Sequence, residues 1–166
     1  MMFRCWTRWP LVSLLVLGAV ACATPPLAAP GPGPSVIPRD VVTTGLPPTE
    51  QLWGGVIVGL DNRADHTLLE VVSYPLRTSQ EPLTGRMTDG RFRLEVRGFL
   101  DPLDYRTGRR ITARGLVQRT EAGRIGEVEY VFPVMVASDL YLWPEVPAAD
   151  WRPGGVSVGI GIGIGL

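Results

Sequence analysis

The segment Asp89-Gly90-Arg91-Phe92-Arg93-Leu94-Glu95-Val96-Arg97-Gly98-Phe99-Leu100-Asp101-Pro102 decides the fold. Between Arg91 and Arg97 apolar and charged residues alternate without a break. Strand side chains repeat every two residues, so Phe92, Leu94 and Val96 share a buried face. Arg91, Arg93, Glu95 and Arg97 share a wet one. A helix would scatter those charges around its apolar stripe. Asp89-Gly90 is turn chemistry before the strand, and Asp101-Pro102 stops further pairing after it.

Working outward, the same period recurs. Arg110 to Gln118 sends Ile111, Ala113, Gly115 and Val117 one way and Arg110, Thr112 and Arg114 the other. Thr67 to Tyr74 alternates around Glu70 and ends at Pro75; Trp53 to Leu60 is β-branched and glycine-bearing. Glu121-Ala122-Gly123-Arg124 reads as a hairpin turn leading into Glu127 to Val136, with Pro133 marking an edge or bulge. That turn would bring Arg114 or Arg119 towards Glu127 and Glu129 as surface pairs. A sixth short strand spans Leu140 to Trp143. Five or six short strands without a convincing helix predict an all-β domain over 51–146, a small closed or partly open antiparallel barrel. A flat sheet would leave two open edges. Gly54, Gly55, Gly98 and Gly115 supply the coiling a barrel needs.

The two termini read differently. Arg4 and Arg8 precede an apolar run from Leu11 to Ala21, too short to span a bilayer, so 1–21 reads as a signal peptide. It ends in Ala19-Val20-Ala21-Cys22, which resembles the lipobox of bacterial lipoproteins, with Cys22 as the acyl acceptor. An ordinary secretory signal cleaved after Ala21 is the plainer alternative. Cleavage before Cys22 also removes Cys5, so no disulfide can form. The resemblance implies handling by lipoprotein processing and sorting machinery, and the absence of Asp after the cysteine resembles outer-membrane sorting. Residues 22–50 read as a disordered tether, since half of the 16 prolines fall there and no packed core is expected. Extended, the 28 residues from Ala23 to Glu50 reach roughly 85 Å at about 3.1 Å each. At the other end, 147–166 is a glycine-rich tail closing in Gly159-Ile160-Gly161-Ile162-Gly163-Ile164-Gly165-Leu166. In an extended strand every apolar side chain there lands on one face. The tail reads either as a strand that adds to a sheet edge, a partner or lipid, or as a frayed terminus.

Chemistry is sparse. Formal net charge is zero, which argues against a nucleic-acid partner, and all 16 basic residues are arginine. His66 is the single histidine, so neither a zinc site nor a triad can be assembled, and no cofactor is expected. Asp101 and Asp104 are close enough to hold a cation, but Asp101 before Pro102 is better read as a turn acceptor. Trp53, Tyr105 and Trp143 are candidates for an aromatic binding face, although aromatic core is the better reading of such residues.

Several blocks together resemble one family. Trp53-Gly54-Gly55-Val56-Ile57, Thr67 to Val72, Gly90-Arg91-Phe92, Gly98-Phe99-Leu100-Asp101-Pro102, Tyr105 with Gly108-Arg109, and Gly126-Glu127 with Tyr130 and Pro133 look like the Slp family. These are starvation-inducible outer-membrane lipoproteins of Gram-negative bacteria. The resemblance implies an OB-like barrel and no catalytic residues. It implies a structural component of the envelope linked to starvation and acid stress, lipid-anchored and facing the periplasm. The alternative is a periplasmic module whose barrel takes a glycan, a small ligand or an envelope protein.

Overall fold

The computed structural model describes residues 24–145. One short helix, α1 (Pro38–Thr44), precedes five strands: β1 (Gln51–Asn62), β2 (His66–Tyr74), β3 (Gly90–Arg97), β4 (Arg110–Ile125) and β5 (Val128–Leu142). They close into a ring in the order β1-β2-β3-β5-β4. This is the partly open five-stranded Greek-key barrel of OB-folds. Four of the five pairings are antiparallel; β3 and β5 run parallel, joined only through Arg93–Val134, Leu94–Met135 and Glu95–Val136. The expectation of a purely antiparallel barrel is corrected there. Because the other four pairings in this five-membered ring are antiparallel, β3 and β5 both run in the direction of β1 and must meet parallel.

The alternation in β3 places Phe92 and Leu94 in the core at 0 % exposure, with Val96 packed against it. Ile57, Leu69, Val71, Ile111, Ala113, Val117 and Met135 fill the same interior. Two strand crossings depend on missing side chains. A Cβ on Gly55 would lie 1.9 Å from the Val72 carbonyl oxygen, and one on Gly115 would lie 2.1 Å from that of Val136. Gly98 instead ends β3 with a φ of +83°.

The β4–β5 hairpin turns at Gly126-Glu127, with Gly126 at φ +61°, rather than at 121–124. The pattern hid this because both strands run past the barrel as a two-stranded ribbon. The supposed sixth strand is the end of β5. Pro133 pairs with Thr120 on one side only, just before β5 joins β3, so its missing donor costs no ladder bond.

The largest correction lies upstream. Residues 27–45 are not a free tether; they strap the barrel. Pro38 starts α1, and Val41 enters the core at 1 % exposure. Gln51, 2 % exposed, accepts from the Val36 N–H at 2.9 Å and donates to the Pro34 carbonyl at 3.1 Å. Trp53 Nε1 donates to the Val36 carbonyl at 2.8 Å. Further up the chain, Gln80 grips Leu27 with both amide atoms: Leu27 N–H donates to Oε1 at 3.0 Å, and Nε2 donates to the Leu27 carbonyl at 2.8 Å. Gln80 holds a left-handed φ of 69°, pinned by Thr112 Oγ1, which donates to its carbonyl at 2.7 Å.

Candidate functional site

In OB-folds the outer face of strands 2 and 3 is where oligonucleotides and oligosaccharides bind. Here β2 and β3 present Glu70, Arg91, Arg93 and Glu95 on that face. The β4–β5 ribbon adds Arg119 and Glu121. The six charges close on one another: Arg91–Glu70 at 2.7 Å, Arg93–Glu121 at 2.7 Å, Arg119–Glu95 at 2.9 Å and Arg119–Glu121 at 2.8 Å. Burial alone would push the Glu121 carboxyl up, but hydrogen bonds from Arg93 and Arg119 hold it below its ordinary range. The Glu95 carboxylate, with Glu121, holds Arg119 above its own.

Beneath these pairs lies an apolar patch that the alternation did not reveal. Phe132 and Val134 sit on the outer face of β5 at 0 % exposure. The Arg93 guanidinium covers the Phe132 ring at 4.5 Å, and Tyr130 packs against it at 4.7 Å. Arg93 and Glu95 are therefore half-buried lids, more than the solvated surface charges read from sequence. A face whose three arginines already hold three glutamates, and whose aromatics are roofed over, is built to fasten the ribbon to the barrel. The expected pairs of Arg114 or Arg119 with Glu127 and Glu129 do not form; Arg114 pairs with Asp139 and with Glu50.

The candidate aromatics are not gathered on one surface. Trp53 is inside, 4 % exposed, with its ring edge-on to Phe92 at 5.1 Å. Trp143 lies outside, its Nε1 donating to Thr112 Oγ1 at 2.9 Å while Ile111 and Ala113, either side of Thr112, face inward. Tyr105 packs against the core from the β3–β4 loop. An aromatic core accounts for Trp53; the other two are half-buried at separate places.

The remaining polar candidates resolve into structure. Asp101 Oδ1 accepts from the Leu103 N–H at 2.8 Å, the turn role expected for it. His66 Nδ1 meets Asp65 Oδ1 at 2.7 Å, and that bond is the main reason the Asp65 carboxyl lies below its ordinary range. Among the described residues no three His, Cys, Asp or Glu side chains converge as a metal site. A concavity of about 490 Å³ lies between the strap and the barrel, lined by Pro30, Pro34, Trp53, Tyr74, Leu76 and Asp89. Burial raises the Asp89 carboxyl there, with Arg39 opposing. Cys22, the candidate lipid-attachment residue, and the tail 147–166 lie outside the described residues.

The family described as Outer membrane lipoprotein Slp family matches residues 20–157. The chain belongs to that family. The uncharacterized lipoprotein YeaY of Escherichia coli (strain K12) is 31% identical over 158 residues, 87% of this chain and 81% of the relative. The outer membrane protein Slp of the same organism is 27% identical over 142 residues, 82% of this chain and 75% of the relative. An uncharacterized protein of Haemophilus influenzae is 34% identical over 104 residues, 59% and 56% of the two chains. No solved structure matches significantly. Family membership makes this an outer-membrane lipoprotein, and the resemblance read from residues 53–143 is borne out.

Proposed function

We propose that the protein is a non-catalytic structural component of the envelope, active under starvation or acid stress and anchored by acyl chains on Cys22 at the periplasmic face of the outer membrane. The family match carries this reading: it opens at residue 20, two positions before Cys22, and continues through every strand. The self-paired β2–β3 face supports a structural role over the glycan-binding alternative. Two or three acyl chains are required, because one chain binds a bilayer only marginally.

The strap changes how such an anchor works. With Leu27 fastened to Gln80, only five residues lead back to Cys22. At about 3.4 Å each they extend roughly 17 Å, a fifth of the reach expected of a free tether. The barrel then rides against the membrane surface rather than at the end of a long leash. Cys22→Ser is expected to move the protein from the membrane fraction to the soluble or unprocessed pool. An unmodified thiol at Cys22, found by intact-mass analysis of purified membranes, would refute the anchor.

A further inference from the structure

The ring is closed by three residue pairs, and β5 continues beyond them. After Val136 its neighbour on one side is still β4, through Ala137–Gly115 to Leu142–Ile111. On the other side β3 ends at Arg97, and among the described residues no strand takes its place. The backbone polarity of this edge follows from one bond. Trp143 N–H donates to the Arg110 carbonyl at 2.9 Å. Antiparallel ladders alternate, so Tyr141 and Asp139 also direct their N–H and C=O groups to β4. Leu140 and Leu142 direct theirs to the open edge. Their side chains point inward and pack on the core, yet both stay only partly covered. The edge thus lacks a strand with apolar side chains on its inner side.

The chain carries such a strand. Ile160, Ile162, Ile164 and Leu166 alternate with glycine, and this run lies beyond the family match, which stops at 157. We propose that the Gly159–Leu166 run adds antiparallel to the open edge of β5. Residues opposite each other in a pair share a face, so the isoleucines fall on the side of Leu140 and Leu142. The glycines fall on the outer side, beside Asp139 and Tyr141, and the Tyr141 ring can lie over a facing glycine as aromatics do on glycine-bearing edges. The occupant is this chain's own tail. It leaves β5 at Trp143 and needs only to reverse direction, and the residues from 144 to 158 are a connection of ordinary closure cost. Isolated ordering of a glycine-rich octapeptide is unfavourable, since backbone entropy offsets four apolar side chains. The two donors and two acceptors of Leu140 and Leu142 supply what the octapeptide lacks.

The test is amide hydrogen exchange on the full mature chain in detergent, read at Leu140 and Leu142. The proposal expects these two amides to exchange at least about tenfold more slowly than in a chain truncated after Gly155. Ile162→Asp in the full-length chain should abolish that protection while β3 amides stay unchanged, which keeps the test informative if the truncation fails to fold. Equal exchange in all forms would overturn the proposal. Protection that fades on dilution would also overturn it, since that assigns the edge to a second copy.

Discussion

The strap and β3 are both ordered, but for different reasons. β3 is ordered by its own pattern: apolar side chains at every second residue have one place to go, and the strand follows them inward. The strap, over 27–45, has no such pattern and is poor in donors because of its prolines. It is ordered by groups that belong to other segments: the amides of Gln51 and Gln80 and the indole of Trp53. Periodicity in a segment reports what that segment buries. It is silent when a segment is held by its backbone.

Three variants test this contrast. Leu94→Ala removes a fully buried side chain from the centre of the core and should cost about 2–5 kcal/mol by chemical denaturation. A loss below about 1 kcal/mol would mean that β3 does not carry the core. Gln51→Ala leaves the Val36 N–H and the Pro34 carbonyl without their partner and should cost about 1–3 kcal/mol. A neutral result would return the strap to the status of a tether. Glu121→Gln probes the outer face of β3 and should cost at most about 1 kcal/mol. Its effect depends on pH with a definite sign. The folded carboxyl lies below its ordinary value of 4.5, so its contribution is present above that value and fades as pH falls through the folded one. Wild type and variant should differ in melting temperature at neutral pH and converge in acid; a gap that widens in acid would contradict the pairing.

The same contrast explains what the residues disclosed in advance. The strand class, the inward set of β3 and the turn role of Asp101 were legible because each is a local signal. The family blocks were legible for the same reason, being contiguous. Phe132 was not: it follows Val131 and precedes Pro133 and Val134 in a continuous apolar run, so its face was ambiguous until the ribbon and Arg93 covered it. Trp53 sits in the core, the preferred of its two readings, but sequence alone does not separate it from Tyr105 and Trp143, because a half-buried and a fully buried aromatic look alike there. The strap's helix was missed because a seven-residue helix begun by proline, with only Val41 and Pro38 buried, has too few turns to show a period.

The order of strands in the ring also sets an order in time. β1, β2 and β3 pair with their sequence neighbours and can form a meander as soon as Tyr74 to Arg97 are available. Closure must wait for Val134 to Val136, some forty residues later, and it uses a parallel pairing of only three residues. Long-range closure of this kind is intrinsically slow. Meanwhile the outer edge of β3 is exposed, the situation in which chains add to one another. Its alternate positions carry Arg91, Arg93, Glu95 and Arg97. Charges at every second position are poor company for a neighbouring copy's strand. Two of them, Arg93 and Glu95, fasten the ribbon in the finished barrel and so also guard the unfinished one, and replacing all four with neutral polar residues should appear first as aggregation during refolding rather than as lost stability.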